Sequence, residues 1–121
     1  MRAGAGMRVA MGLAGLGAVV MAVLIGDALV EGQFRPEGSV LVALAWGKVT
    51  LADLYVGFFL FAAWVLFRER HTARALGFVL LVLTLGNFFT CLYVLVALVR
   101  CDGSWHRFWL GARHDASPRL A

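Results

Sequence analysis

Four polar side chains stand inside otherwise apolar stretches of this chain, and they are its first candidates for chemistry. Thr50 and Asp53 lie in one stretch, and Asn87 and Thr90 lie in the next. If the two stretches form antiparallel helices, Asp53 lies about 21 Å and Asn87 about 20 Å from the turn that joins them, at about 1.5 Å per residue. The two threonines match in depth by the same count. The spacing therefore predicts a polar seam between two helices.

The seam has two main interpretations, because an aspartate within an apolar helix is costly in lipid. In the first, Asp53 is protonated, hydrogen-bonds Asn87 or a backbone carbonyl, and fixes the register of the two helices. In the second, Asp53 titrates in the path of a proton or cation, or holds a polar ligand group. A contact with lipid or with a partner is a third interpretation. We expect the structural role, because residues 58–61 are all apolar whereas a transport path needs polar groups through its depth.

Neither catalysis nor a cofactor is predicted from the remaining reactive residues. His71, His106 and His114 lie outside the apolar stretches, so paired histidines cannot ligate a haem within a membrane. The spacing of Cys101 and the last two histidines matches no common zinc pattern. The chain also shows no Ser-His-Asp set, phosphate-binding glycine loop or pair of carboxylates within the apolar stretches. We expect a protein that is not an enzyme, with no catalytic residue, no metal and no cofactor.

Three apolar stretches must position the polar side chains. The chain has 121 residues, of which 62% are hydrophobic and 15% charged. A soluble domain of this size would have too little polar surface to cover so many apolar side chains. A hydrocarbon core of about 30 Å takes about 20 helical residues. The composition therefore predicts an all-α integral membrane protein with a single domain, 1–121, and three transmembrane helices over residues 9–29, 48–67 and 75–99.

Small residues recur at every fourth position of the first predicted span. The length of this span, which exceeds that of a signal-peptide core, indicates an uncleaved anchor. Residues four apart stack along one side of a helix, and small side chains let two helix backbones approach closely in lipid. Chance phasing is the alternative, because Ala and Gly are common here. The ridge predicted for helix packing comprises Ala10, Ala14, Ala18, Ala22 and Gly26.

A turn, a bend and a tail complete the predicted elements. Pro36-Glu37-Gly38 predicts a turn, after which Ser39 would cap a helix starting at Val40. We expect the first part of that helix to lie on the membrane interface, with a bend at Gly47. An amphipathic helix over 104–113 is predicted to lie in the headgroup plane. The predicted interface anchors are Trp46, Trp64, Trp105 and Trp109.

The basic residues flank the apolar stretches, which is typical of anchors to lipid headgroups rather than of a nucleic-acid interface. The turn 68–74 holds three arginines, and short arginine-rich loops stay in the cytoplasm. We therefore expect the N-terminus to be cytoplasmic and the C-terminal tail to lie outside, in the inner (plasma) membrane of a bacterium. The tail disagrees with this orientation, because it carries Arg100, Arg107, Arg113 and Arg119.

A resemblance to a known family rests on four short motifs between residues 53 and 100. They are Asp53-Leu54-Tyr55-Val56-Gly57-Phe58, Trp64-Val65 leading to Arg68-Glu69, Leu85-Gly86-Asn87, and Tyr93-Val94. The chain resembles an uncharacterised family of small multi-pass membrane proteins of bacteria and plants, classed as a domain of unknown function. Phe67 stands where the family pattern has tyrosine, and Ala45 where it has proline. The resemblance implies no activity, and adds only that Asp53, Tyr55 and Asn87 belong to the family motif.

Two functions from different classes follow from these observations. The leading hypothesis is a non-enzymatic accessory or structural subunit, which packs in the bilayer against another membrane protein or a second copy through the small-residue ridge. The competing hypothesis is a small transporter or channel component that uses Asp53 as a titrating group. We expect no nucleic-acid partner, and a membrane enzyme ranks last.

Overall fold

The computed structural model describes residues 4–116 and is helical throughout them, so the all-α prediction is confirmed for this part of the chain. Arg2 and Arg119 lie outside the described residues. Six helices of six residues or more are followed by one final helical turn. The elements are α1 (Ala5–Glu31), α2 (Phe34–Ala43), α3 (Ala45–Arg68), α4 (Thr72–Leu85), α5 (Asn87–Arg100), α6 (Trp105–Leu110) and α7 (Arg113–Ala116).

Two of these helices, α1 and α3, are long and apolar enough to cross a membrane. Both leave most of their apolar side chains exposed. Within the most apolar 18 residues of each helix, only 6% of α1 and 11% of α3 is buried. A core helix of a water-soluble protein would be mostly buried, because its apolar face is covered by the rest of the chain. The exposed surface of α1 and α3 is therefore left for another medium or another protein to cover.

The third apolar stretch is a helical hairpin. Helix α4 ends at Leu85, Gly86 reverses the chain with φ 61° and ψ −138°, and α5 begins at Asn87. Such backbone angles are reached almost only by glycine, because a Cβ atom would clash with the backbone. The two arms pack against each other, since the ring centroids of Phe78 and Tyr93 are 5.4 Å apart.

The prediction of a single membrane span over residues 75–99 is therefore wrong. Each arm of the hairpin has 14 residues. Such an arm is about 21 Å long at about 1.5 Å per residue, which is shorter than a hydrocarbon core of about 30 Å. The whole stretch met the length and composition requirements of a span, but neither property reports the reversal at Gly86.

The hairpin packs between the two long helices and builds the core of the bundle. Helix α5 runs antiparallel to α1, so that Met7 lies against Cys101 and Gly17 lies against Cys91. On the other side, α3 runs antiparallel to α4, with the ring of Phe58 beside Gly86. The buried core cluster comprises Met7, Ala97, Leu98, Cys101 and Phe108.

Both termini of the described chain lie at one end of the bundle, which we call the arginine end. The start of α1 approaches α6, because a Cβ atom at Gly6 would lie 3.9 Å from the ring of Trp105. The guanidinium Nε of Arg113 donates a 2.7 Å hydrogen bond to the carbonyl of Phe67 near the end of α3. The expectation that the C-terminal tail lies on the opposite side from the N-terminus is therefore wrong, because the hairpin returns the chain to its starting side.

The arginine end also collects most of the described basic residues. Arg35 and Lys48 lie near the opposite end, which we call the far end. The basic residues of the arginine end are Arg8, Arg68, Arg70, Arg74, Arg100, Arg107 and Arg113.

Helix α2 at the far end begins before the turn predicted around Pro36. This proline lies in the first turn of α2, where its missing N–H group is not needed. The Ser39 hydroxyl donates a 2.7 Å hydrogen bond to the Pro36 carbonyl and caps no helix. The chain bends at Leu44 rather than at the predicted Gly47, which is buried against the carbonyl of Leu41. The predicted turn, cap and bend are thus each misplaced by a few residues.

Candidate functional site

The end of α3 carries a polar group of three side chains, Arg68, Glu69 and Tyr93, which we call the Arg68 cluster. The Tyr93 hydroxyl donates a 2.7 Å hydrogen bond to Oε1 of Glu69 and accepts a 3.2 Å hydrogen bond from Nη1 of Arg68. The guanidinium and carboxylate form an ion pair at 3.7 Å, and both side chains are less than one-fifth exposed. Burial of this kind strengthens hydrogen bonds and ion pairs, because little water competes for the same groups.

An aromatic wall surrounds the guanidinium group of Arg68. Its central carbon lies 5.8 Å from the centroid of the Trp64 ring and 5.7 Å from that of Tyr93, within the range of cation–π attraction. The Trp64 ring also packs against Phe108 at 5.5 Å, and its indole N–H donates to the carbonyl of Trp109 at 3.3 Å. Residues from α3, α5 and α6 are therefore joined around one cation.

The C-terminal tail supplies hydrogen-bond donors for the last carbonyl groups of α3, which have no partner within their own helix. The carbonyl of Phe67 accepts from Nε of Arg113, and the carbonyl of Arg68 accepts from the N–H of Ala112 at 3.2 Å. In return, Nε of Arg68 donates a 2.8 Å hydrogen bond to the carbonyl of Phe108. Together with the bond from Trp64 to the carbonyl of Trp109, four hydrogen bonds thus fasten the tail to the end of α3.

The helix predicted over 104–113 is shorter in the structure. Helix α6 starts after Ser104, whose hydroxyl accepts from the N–H of Arg107, and it ends at Gly111 with φ 53°. Phe108 is buried, whereas Trp105 and Trp109 stay about half exposed. One face of α6 therefore packs on the core, and the prediction that its exposed tryptophans anchor it to lipid headgroups stays a prediction.

The polar side chains predicted as a seam are partly brought together. Asp53, Asn87 and Thr90 line one groove of about 370 Å³ between α3 and the tip of the hairpin. Thr50 lies outside this groove, and its hydroxyl donates to the carbonyl of Trp46 at 2.9 Å. Among residues 4–116, no hydrogen bond joins Asp53 to Asn87.

Counting residues along α4 was enough to predict that these residues lie close together, because α4 runs antiparallel to α3 as far as the hairpin tip. Asn87 is the first residue of α5 and therefore lies at the depth that the count along α4 gives. Thr90 is already on the returning arm, and its hydroxyl donates to the carbonyl of Gly86 at 3.3 Å. The role of Asp53, structural or titrating, stays a prediction.

The small-residue ridge of α1 has a part that the hairpin covers and a part beyond the hairpin tip that is exposed. Ala18 is buried, Ala14 is partly buried and Ala10 packs against the core cluster, whereas Ala22 and Gly26 are exposed. A close approach of α1 to α5 also lies off the ridge. It occurs at Gly17, where a Cβ atom would lie 2.8 Å from the sulfur of Cys91.

The four tryptophans predicted as interface anchors lie at the two ends of the structure. Trp46 is 80% exposed near the far end, and the other three gather at the arginine end. Sequence reasoning missed the contacts that Trp64 makes there, as it missed the Arg68 cluster. One signal was present, because Trp64, Arg68-Glu69 and Tyr93-Val94 are among the motifs that carried the family resemblance.

Together, these features define an all-helical protein with two helices long and apolar enough to cross a membrane, and with its basic residues concentrated at one end. Within residues 4–116, no group of three or more His, Cys, Asp or Glu side chains is placed to hold a metal ion. The chain belongs to the family described as "Protein of unknown function (DUF1475)", whose family model matches residues 1–107. The resemblance is therefore confirmed over most of the chain. Searches of curated proteins and of solved structures gave no match.

Proposed function

We propose that this protein is a non-enzymatic accessory subunit of a membrane assembly, which binds a transmembrane helix of another protein or of a second copy in the open half of its bundle. The proposal has three parts, which concern insertion in the bilayer, orientation and the unfilled half of the bundle.

Insertion in the bilayer is supported by the outer surfaces of α1 and α3. Side chains such as Leu13, Val19 and Leu60 are each more than 60% exposed. In water this surface would drive association, whereas lipid covers it without further protein. In this arrangement α1 and α3 cross the bilayer, and the two short arms of the hairpin enter it from the arginine end and return.

Orientation follows from the arginine end. Positively charged residues concentrate in short cytoplasmic segments of membrane proteins, because their translocation is disfavoured. The described tail arginines, Arg100, Arg107 and Arg113, conflicted with the orientation predicted for three spans. In the structure they lie at the same end as Arg8 and Arg68. We therefore place both the N-terminus and the C-terminal tail in the cytoplasm, with α2 on the opposite face.

The open half of the bundle lies beyond the tip of the hairpin. Because Phe58 lies beside Gly86, the part of α3 that precedes Phe58 extends past the tip. Because Gly17 lies against Cys91 near the start of α5, the second half of α1 extends past it as well. The exposed residues of these two segments include Ala22, Val23, Gly26, Val49, Asp53 and Val56.

The observation that carries the proposal is the position of Asp53. It is exposed on the open half of α3, and it has no hydrogen-bond or ion-pair partner among residues 4–116. A carboxyl group that faces hydrocarbon is costly and generally has a partner group within the membrane. A neighbouring helix that offers a hydrogen-bond donor at this depth would supply one, and the small residues Ala22 and Gly26 on α1 would allow close packing.

The competing function, a small transporter or channel component, is favoured by a separate observation. Asp53, Asn87 and Thr90 line the same groove, which gives a titrating carboxyl group two polar neighbours. The groove is also lined by Phe58 and Phe61 towards the arginine end. A continuous polar path to the cytoplasmic face is thus not formed by the groove itself.

Purification of the tagged chain from native membranes in mild detergent, followed by mass spectrometry, tests the proposal. We expect a stoichiometric membrane-protein partner or a defined oligomer. Replacing Ala22 and Gly26 together by leucine should release it, whereas Gly12→Leu, at an exposed site with no atom within 4 Å of its Cβ position, should not. A monomer with no partner in all preparations would contradict the proposal.

Variants of Asp53 separate the two functions. Asp53→Asn retains hydrogen bonding and should keep the partner, whereas Asp53→Leu should release it. Proton or cation flux into liposomes that Asp53→Asn abolishes, with assembly unchanged, would instead support the transporter. Asp27→Asn, which changes an exposed acid of α1 near the far end, is the charge-matched control.

A further inference from the structure

We propose that the arginine end contains a binding site for a phosphate group, located between the two arms of the hairpin and the end of α3. A cavity of about 350 Å³ lies between these elements. A second cavity of about 390 Å³ adjoins it on the side of the C-terminal tail. The two share Arg68, Glu69 and Arg100 as lining residues, so they lie next to each other around the Arg68 cluster, and we call them together the recess.

The charged lining of this recess is strongly unbalanced. Among the described residues, Glu69 is its one acidic lining residue, and its carboxylate is already engaged by the Tyr93 hydroxyl and the Arg68 guanidinium. The basic side chains that line the recess are Arg68, Arg74, Arg100 and Arg107.

Two of these arginines have no counter-ion in the described part of the chain. Arg107 pairs with Asp102 at 2.9 Å, and Arg68 is held by the contacts of its cluster. In contrast, Arg74 at the start of α4 and Arg100 at the end of α5 make no hydrogen bond or ion pair among residues 4–116. Both residues line the 350 Å³ cavity, so two arginines that lack a counter-ion among residues 4–116 border one space.

The opposite wall of the cavity is apolar. It is formed by side chains on the facing sides of α4 and α5, and one of them, Val96, is about half exposed, so the recess opens to the surroundings of the bundle. A ligand that lies in this recess therefore meets guanidinium groups at one end and an apolar surface at the other. The apolar wall comprises Phe78, Phe89, Leu92 and Val96.

This combination selects the chemical class of the ligand. Guanidinium groups bind phosphate oxygens through paired N–H donors, and several arginines around one anion are typical of phosphate recognition. A cation would be repelled by Arg74 and Arg100. The phosphate can come from an anionic lipid headgroup, whose acyl chain would follow the apolar wall into the bilayer, or from a soluble phosphate compound. The shared chemistry is the phosphate group.

The site is independent of the proposed accessory function. It lies at the arginine end, whereas Asp53 lies at the hairpin tip and the open half of the bundle lies beyond that tip. Loss of partner binding and loss of phosphate binding can therefore be observed separately in the same protein.

The test is an isothermal titration calorimetry experiment on the full-length, delipidated protein in a neutral detergent. The probes are dihexanoyl phosphatidic acid, inorganic phosphate and, as an uncharged-headgroup control, dihexanoyl glycerol. We expect phosphatidic acid to bind and the glycerol lipid not to bind. Arg74→Gln and Arg100→Gln should each weaken binding about tenfold, since each removes a hydrogen bond to a charged group. The double variant should show no saturable binding.

Arg70→Gln is the matched control, because Arg70 lies in the turn between α3 and α4 but lines neither cavity. We expect its affinity to equal that of the unmodified protein. Competition by inorganic phosphate would support the site with a soluble ligand as its source, and binding of phosphatidic acid without such competition would support it with a lipid headgroup. The proposal would be overturned if neither phosphatidic acid nor inorganic phosphate bound. It would also be overturned if Arg70→Gln and Arg100→Gln lost affinity equally.

Discussion

The hydroxyl group of Tyr93, in the returning arm of the hairpin, donates a 2.7 Å hydrogen bond to Glu69, the residue that follows α3. The chain between them travels the full length of α4, reverses at Gly86 and comes back. One hydrogen bond therefore closes the hairpin against the end of α3. It also shows that residues 68 and 69, which were predicted to lie in a cytoplasmic turn, take part in the packing of the bundle end.

Removal of this hydroxyl group tests the importance of the Arg68 cluster for stability. Tyr93→Phe keeps the ring and its aromatic contacts, but it deprives Glu69 and Arg68 of a hydrogen-bond partner in a largely buried setting. A lost hydrogen bond to a charged group destabilises by about 1 to 3 kcal/mol. We expect a lower free energy of unfolding and a lower midpoint in thermal unfolding of the protein in detergent.

Tyr55→Phe is the matched control for that measurement. Tyr55 is 44% exposed, and its hydroxyl makes no hydrogen bond among the described residues. Its loss should leave the unfolding midpoint unchanged. Equal shifts in both variants would contradict the assigned role of the Tyr93 hydroxyl.

The close approach of α1 and α5 predicts a specific steric clash. In Gly17→Ala the new methyl group would lie 2.8 Å from Cys91 Sγ, which is too close, but 4.0 Å from Cys91 Cβ, which is ordinary contact. We expect Gly17→Ala to destabilise the protein, and the added replacement Cys91→Ala to restore the stability. The two single variants and the double variant form a double-mutant cycle, measured by thermal unfolding.

The control for this cycle is Gly12→Ala, since no atom lies within 4 Å of a Cβ at that position. Alanine in an exposed helix interior stabilises by about 1 kcal/mol relative to glycine. A destabilising effect of Gly12→Ala would count against the exposed position of Gly12. A Gly17→Ala effect that Cys91→Ala does not relieve would count against a close contact between Gly17 and Cys91.

The reversal at Gly86 predicts that this position does not tolerate a side chain. Gly86→Ala would hold an alanine in a backbone conformation that alanine rarely adopts. Its methyl group would also lie 3.3 Å from the Phe58 ring. Residues held in such conformations are destabilised by about 1 to 3 kcal/mol. Gly77→Ala, within α4 and with open space at the Cβ position, should be neutral or stabilising. Equal thermal midpoints for the two variants would show that the reversal is absent.

Cross-linking distinguishes the hairpin from a single span directly. Arg74 and Arg100 line one cavity, whereas in one straight helix they would be about 39 Å apart at about 1.5 Å per residue. We expect Arg74→Cys and Arg100→Cys together to be joined by a thiol reagent that spans only two to three helical turns, with Cys91 and Cys101 first replaced by serine. The pair Arg35→Cys and Arg100→Cys, with one cysteine near each end of the bundle, should remain unlinked. If the pair at positions 74 and 100 remained unlinked and the pair at positions 35 and 100 were joined, the result would support a single straight helix.

The accuracy of the sequence predictions depended on the range of the interactions involved. The helices α1 and α3 were predicted nearly in full, because a long apolar run with few charges determines both helical structure and length. The ridge at Ala10, Ala14 and Ala18 followed from helical periodicity, and these three residues lie on the packed side of α1. The seam at Asp53 and Asn87 followed from equal counts along antiparallel helices.

The main errors concern reversals of the chain. Gly86 lies in a run that is apolar on both sides, so no change of composition marks the turn there. The hairpin carries Arg100 and the described part of the tail back to the arginine end, where most of the other described basic residues lie. The cavity between Arg68, Arg74 and Arg100 could not be predicted, because the predicted third span placed Arg74 and Arg100 at opposite ends of one helix.

Three properties of this protein follow from the order of its amino acids alone: its described residues are mostly helical, the stretches that form α1 and α3 are long and apolar enough to cross a membrane, and its charges mostly avoid the apolar runs. These are local properties, since a helix satisfies its own backbone hydrogen bonds and each side chain carries its own affinity for lipid or water. Three other properties emerge with tertiary packing: α4 and α5 fold back on each other, both ends of the described chain share one end of the bundle, and Tyr93 meets Glu69. Those features depend on contacts between residues far apart in the chain, which local composition and periodicity do not encode.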